Sequence, residues 1–365
     1  MACPRHQPAE TSARSTTRKR RPTNARSRRK PFWADYGTED LLNLRLCDLG
    51  IQLDQTPLMD LVAKLYQELA DRDVRFRPNV WLSSEWFAAD GVPGIAVPFY
   101  LAHPRLMQLE KKMMLQVEGG KRDECLKILR HEAGHAVDTA YRLHFKKLWR
   151  ETFGSFREPY PDYYQPRPAS RHYVLHLRGW YAQSHPAEDF AETFAVWLNP
   201  RSRWRQVYQG WPAMRKLEAV DELMNRIAGR RPVVQSRRRV EPLRRIRQTL
   251  RDHYQEKRRR YIEEWPDFYD RDLRRLFSDE PRYARRPSAA QFLRRSRPEI
   301  REKVAAFTGV HAYTIDQLIR DMIDRCAELK LRLAQPTSQT RHDAMMMVTV
   351  ATMNFVHSRQ HWIPL

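Results

Sequence analysis

From residue 32 onward the hydrophobic pattern alternates between helical stripes and short extended runs. "TPLMDLVAKLYQELADRD" puts Leu58, Leu61, Val62, Leu65 and Leu69 on one helical face, with Thr56 as N-cap and Pro57 in the first turn. "FRPNVWLSSEWF" and "GIAVPFYL" are rich in β-branched and aromatic residues and bounded by Gly and Pro, the pattern of strands. Pro98, which cannot donate to a ladder, marks the second as an edge strand. A helix over about 121–148 follows, its buried stripe formed by Leu126, Leu129, Ala133, Ala136, Val137 and Ala140. A second helix begins near "SHPAEDFAETFAVWLNP", where Ser184 or His185 can cap, Pro186 fits the first turn and "NP" stops it. Residues 151–180, between them, are aromatic and proline-rich and too broken for a helix. Beyond 230, Arg-rich amphipathic helices are expected, closing on "TIDQLIRDMIDRCAELKLRLAQ" and "DAMMMVTVATMNFVHS".

Composition changes this picture in three places. No run of eighteen apolar residues exists, so no membrane span is expected, and no apolar stretch follows the first charges as a secretory signal would need. Four scattered cysteines without a CxxC pair point to reduced thiols and a cytoplasmic setting. The net charge of +22 is uneven: residues 1–30 carry ten Lys/Arg against Glu10 alone, and 230–300 carry 22 against 11 acids. Residues 31–229 hold 26 of each sign. The expected organisation is therefore a disordered basic tail (1–31), a neutral domain (32–229), an Arg-rich helical segment (230–300) and a C-terminal helical region (301–365).

The neutral stretch carries the candidate chemistry, "LRHEAGHAVD". Residues i and i+4 of a helix share a face, so His131 and His135 can aim ring nitrogens at one ion. A tetrahedral Zn²⁺ then needs one further protein ligand and a water. Glu132 stands next to that water, placed to take its proton. Ala133 and Gly134 keep the helix surface low beside the ion. A chance match in a chain with thirteen histidines is the bland alternative, but it would not foretell an amphipathic helix with a core-facing side. For the third ligand, Asp138 and Tyr141 stand where the metzincin pattern wants Gly and His, so that class fails. His144 lies about two and a half turns from His135, out of reach unless the helix breaks. "AEDFAETF" offers Glu188 and Glu192, an i, i+4 pair of carboxylates in an apolar helix with little surface to solvate them.

"HEAGHAVD" followed by "Y…AEDFAETF" resembles the gluzincin metallopeptidases, most closely the catalytic domain of anthrax lethal factor. It is similar too to the bacterial "putative zinc-binding metallopeptidases", whose second motif has the same acidic-Phe-Ala-Glu core. The resemblance covers roughly 121–198 and includes neither the tail nor the chain beyond 230. It implies an α+β, zincin-like metallopeptidase domain, a small sheet with an edge strand packed on the HExxH and glutamate helices, followed here by a mostly α-helical region. It implies that His131, His135 and Glu188 bind zinc and that Glu132 is the general base. It also implies that Tyr181 steadies the oxyanion and that Glu192 orients a zinc-bound imidazole. Tyr173 and His185 are the alternative oxyanion donors. Asp138, one turn past His135, is a candidate partner for that histidine or for a nearby arginine.

The expected function is zinc-dependent hydrolysis of a protein or peptide substrate lying extended against "GIAVPFYL", with 151–180 as a lid or an ordinary packed loop. The competing reading is a nucleic-acid-binding protein that uses 1–30 and 230–300 for phosphate contacts, its metal site secondary or inactive. A solvated Arg-rich face would have the same composition.

Overall fold

The computed structural model describes residues 30–161, 163–261, 269–357 and 363–364, so nearly all of the expected tail 1–31 lies outside the described residues. The architecture is mixed and mostly helical with small sheets, an α+β arrangement. Two apolar cores organise it, one gathering residues from Trp33 to Tyr254 and the other from Leu273 to Val348.

The expected helical segment 230–300 is divided between these cores, and residues 230–249 are not helical apart from the short turn Leu243–Arg245. Pro232 and Pro242 interrupt any helical ladder there. The segment runs instead as a strap fastened at both ends. Val233 and Val234 donate to the Ala140 carbonyl at 2.8 and 2.9 Å, while Cys47 and Leu46 donate to Ile246 and Gln248 at 3.0 and 3.1 Å. The helix Leu250–Arg259 then packs Leu250 and Tyr254 into the first core, opened by a Thr249–Asp252 capping box. The second core is built by Asp270–Leu276, Ala289–Thr308, Ala312–Glu328 and Thr337–His357.

The sheet beside the site is β1 (Asn79–Ser83) paired parallel with β2 (Gly94–Pro98), Trp81 opposite Ala96. Both strands are shorter than the apolar runs that announce them; after Pro98 the chain winds into the 3-10 turn Phe99–Ala102. Strand alternation sends Val80, Leu82, Ile95 and Val97 into the first core. Trp81 and Ala96 form a satellite cluster with Val92 on the other face, covered by Phe87, Ala89 and Val240. The expectation of a free edge at β2 fails. Phe87 pairs antiparallel with Ala96, whose N–H donates to the Phe87 carbonyl at 2.8 Å, so β2 sits between β1 and their own connector. Pro98 is tolerated because it ends the strand.

The helix Leu58–Ala70 buries the five expected leucine and valine positions, but Thr56 does not cap it; the Thr56 hydroxyl donates to the Leu53 carbonyl at 2.7 Å. Glu68 of this helix meets Arg130 in a buried two-pronged ion pair, both bonds 2.7 Å, which locks it to the helix bearing the histidines. Tyr163–Tyr164 pairs antiparallel with Ile363–Pro364. Among the described residues no helix is long and apolar enough to cross a membrane, and Cys47, Cys125 and Cys326 are free thiols.

Candidate metal centre

Two crossing helices carry the candidate ligands: a histidine helix (Arg122–Tyr141) and a glutamate helix (Pro186–Leu198). The first ends sooner than the expected 148, because Arg142 takes the left-handed conformation (φ 52°) and a short turn, Leu143–Phe145, follows. Asp138 fastens this break. Its Oδ1 accepts from the His144 backbone N–H at 2.7 Å and its Oδ2 faces His144 Nδ1 at 2.8 Å. Asp138 thus serves His144, and not His135 or an arginine as expected from sequence. The break that could have brought His144 to the ion ties it elsewhere.

The glutamate helix opens as its sequence requires, with His185 Nδ1 accepting from Ala187 N–H at 3.1 Å and Pro186 in the first turn, and it stops at Asn199. Gly134 sets its distance from the histidine helix. A Cβ at Gly134 would stand 2.9 Å from Ala191 Cα and 3.2 Å from the Ala191 carbonyl oxygen and from Phe194 Cδ1. The low surface at Gly134 therefore faces the partner helix, and not the ion as expected from sequence.

That close crossing brings three ligand atoms together. Glu188 Oε2 lies 3.0 Å from His131 Nε2 and 3.1 Å from His135 Nε2, and the two imidazole nitrogens are 3.2 Å apart. A tetrahedral ion with bonds of about 2.0–2.1 Å separates its ligands by about 3.3 Å, so the triangle fits zinc after a shift of a few tenths of an ångström. Among the described residues, His131, His135 and Glu188 are the cluster whose atoms converge in this way. Glu192 stands behind it, wholly buried. Its Oε1 is 2.9 Å from His131 Nδ1 and its Oε2 accepts from the Leu177 N–H at 2.8 Å.

The electrostatics couple these carboxylates to the two imidazoles. Burial alone would raise the Glu188 carboxyl, but the two imidazoles outweigh it and hold it well below the usual carboxylate range. Burial alone would lower His131, yet its hydrogen bonds to Glu188 and Glu192 raise it well above its ordinary value. A metal entering here displaces protons.

A cleft of about 140 Å³ opens over these atoms, lined by Glu132, Tyr181, Tyr160, Thr139 and the connector residues Trp86, Phe87, Ala88 and Asp90. Glu132 is buried and its Oε2 has no hydrogen-bond partner. Burial raises its carboxyl, partly offset by the two histidines. Tyr181 leans over His131 with ring centroids 5.5 Å apart. It is aimed there by a kink at Gly179 and Trp180, both at positive φ. Burial, and then the charges of Glu188 and Glu132, raise its hydroxyl well above its usual value, which keeps it a donor.

The alternative oxyanion donors are occupied elsewhere. Tyr173 lies under Lys216, whose Nζ is 3.9 Å from its ring, and His185 caps its helix. Sequence reasoning missed Tyr160. It comes from the 151–180 insert, donates to Glu188 Oε1 at 2.9 Å and stacks on His185 at 3.9 Å. The only available signal was its tyrosine-rich surroundings, "PYPDYY".

A family model described as "Putative zinc-binding metallo-peptidase" matches residues 117–209, which span both helices and the insert between them. No curated protein and no solved structure matches the chain, so the expected likeness to the lethal-factor catalytic domain is not shown.

Proposed function

We propose that the protein is a zinc-dependent peptidase, with His131, His135 and Glu188 as ligands and Glu132 as general base. The convergence of three ligand atoms at 3.0–3.2 Å, under a cleft that also receives an unpartnered Glu132 oxygen, carries this reading. Zinc, when bound, supplies a Lewis acid that brings the pKa of a water toward ~7. Glu132, its carboxyl raised by burial, takes a proton from the attacking water and returns it to the leaving amine. Tyr181 donates to the carbonyl oxygen as that atom gains charge. Glu192 accepts from His131 Nδ1–H and so leaves Nε2 free to ligate, while Tyr160 holds Glu188 Oε1 and leaves Oε2 free. The substrate main chain lies along the connector Trp86 to Asp90, which replaces β2 as the strand edge at the cleft.

Metal analysis of the purified protein, with a peptide library incubated with parent and Glu132→Gln, tests this. One zinc per chain is expected, lost on changing His131, His135 or Glu188 to Ala and kept in Glu132→Gln, which should cleave nothing. Stoichiometric zinc in Glu188→Ala, or equal cleavage by Glu132→Gln, would defeat the assignment.

A further inference from the structure

A second cavity, of about 1030 Å³, lies outside the metal cleft and outside the matched residues. The strap forms one wall and the helix Leu250–Arg259 another, with Ser84 and Glu85 completing it. Arg237, Arg238, Arg239, Arg244 and Arg245 line it, and among the described residues none of their guanidiniums has an ion-pair or hydrogen-bond partner. Three acids also line the cavity, and two are already paired: Glu85 with Lys257 at 3.0 Å and Glu256 with Arg260 at 3.6 Å. Only Glu241 remains to answer five guanidiniums, an excess of four positive charges.

Buried His253 supplies an independent observation. It lines the same cavity, is 4% exposed, and its Nε2 has no hydrogen-bond partner; Glu85 Oε1, at 3.8 Å, is too far for one. Burial first, then the charges of Lys257 and Arg260, push this imidazole down to about 3, so it is neutral and can present an N–H. A buried polar nitrogen without a partner costs stability, and this one stands at the cavity wall.

All five arginines are exposed, and what separates them from an ordinary solvated face is the concavity they line and the backbone that carries them. The strap's backbone is pinned where the arginines leave it: Trp81 Nε1 donates to the Val240 carbonyl at 2.8 Å and the Ser83 hydroxyl to the Glu241 carbonyl at 2.7 Å. Glu241 is itself held at φ 43°, a conformation that a non-glycine residue adopts at a cost. The backbone next to Arg239 and around Arg244 and Arg245 is thus fixed beside the concavity, which lowers the ordering cost of binding.

We propose that this cavity binds an anion of consecutive phosphates carrying about four negative charges. Such a chain is free in a nucleoside triphosphate or forms the backbone of a single nucleic-acid strand. Guanidinium forks match phosphate oxygens two at a time, which a carboxylate of the same total charge spread along a peptide does not reproduce as densely. No residue lines both the cavity and the cleft, although Ser84 and Glu85 of the one precede Trp86 of the other in the chain, so binding can be read without reference to hydrolysis or zinc.

The test is calorimetric titration of the full chain with inorganic tripolyphosphate, a nucleoside triphosphate, a short single-stranded oligonucleotide and an oligoglutamate of equal charge, at about 50 and about 200 mM salt. Two triple variants accompany it, R237A/R238A/R239A in the cavity and R26A/R28A/R29A in the basic tail, each checked for unchanged melting temperature. Binding of at least one phosphate probe is expected, weakened about tenfold or more by the cavity triple and little by the tail triple. Preference for tripolyphosphate and the triphosphate assigns a free anion, and preference for the oligonucleotide assigns a strand. Equal binding of oligoglutamate, equal weakening by both triples, or no phosphate binding at all would overturn the proposal.

Discussion

Replacing Glu192 by Gln tests how the metal centre is held. The carboxylate is wholly buried and both oxygens are used, one facing His131 Nδ1 at 2.9 Å and the other accepting from the Leu177 N–H at 2.8 Å. For His131 Nε2 to ligate, Nδ1 must carry the proton, so Glu192 answers two donors. Glutamine has the same size but one acceptor and one donor end. Whichever way the amide turns, its NH₂ meets an N–H, and one buried donor is left without an acceptor at a cost of about 1–3 kcal/mol. The histidine can relieve this by moving its proton to Nε2, but that is the atom the ion needs. Zinc affinity should therefore fall about 10–100-fold, which corresponds to about 1.4–2.8 kcal/mol and agrees with the cost of the unmet donor. Chelator competition gives the affinity, and thermal melting of the metal-free protein gives the stability. Parent-like affinity with reduced stability would show that Glu192 serves only the Leu177 loop. Parent-like values of both would refute the orienting role altogether.

Tyr181→Phe should keep zinc and lose about 10²–10³ in turnover, since it removes a donor needed only as charge develops; full turnover would move that role elsewhere. Tyr160→Phe should instead loosen zinc a few-fold, because Tyr160 is 48% exposed and water can replace its bond to Glu188; an unchanged zinc affinity would show that this bond does not hold the ligand. Gly134→Ala should lower the melting temperature. The new methyl meets backbone 2.9 Å away that cannot rotate aside, costing about 1–3 kcal/mol against a gain of about 1 kcal/mol in helix propensity. A more stable variant would show that the helices part freely. His311→Asn tests an acid-sensitive group that caps the helix Ala312–Glu328 and stacks on Tyr261. Burial, then the charge of Lys257, push His311 down to about 3, below its unfolded value of about 6.5. The stability linked to it is present above about pH 6.5 and is lost as pH falls toward 3, by about 1.4 kcal/mol per unit, because the unfolded state takes a proton that the folded state refuses. Asn can keep the cap to Tyr313 N–H without titrating, so its acid-unfolding slope should be shallower by that amount; identical slopes would contradict the assignment.

What the sequence determined by itself was local. The four-residue spacing of His131 and His135 places both on one helix face because the helical period does so in any fold. His185, Pro186 and the Asn199–Pro200 stop bound the glutamate helix through bonds that reach no further than one turn. The stripe on Leu58–Ala70 was legible for the same reason. Tertiary structure decided the rest. Glu188, Glu192 and His144 were equally available by residue type. The helix crossing at Gly134 and Ala191 faces Glu188 toward both imidazoles across 53 residues of chain, while the left-handed turn at Arg142 delivers His144 to Asp138. The same holds for β2, whose proline suggested a free edge that the returning Phe87 covers, and for Tyr160, which stacks on His185 where its hydroxyl meets Glu188. Each of these contacts depends on how far apart packed elements sit and at what angle they cross. Those distances are set jointly by every side chain in the core, so no short stretch of sequence contains them.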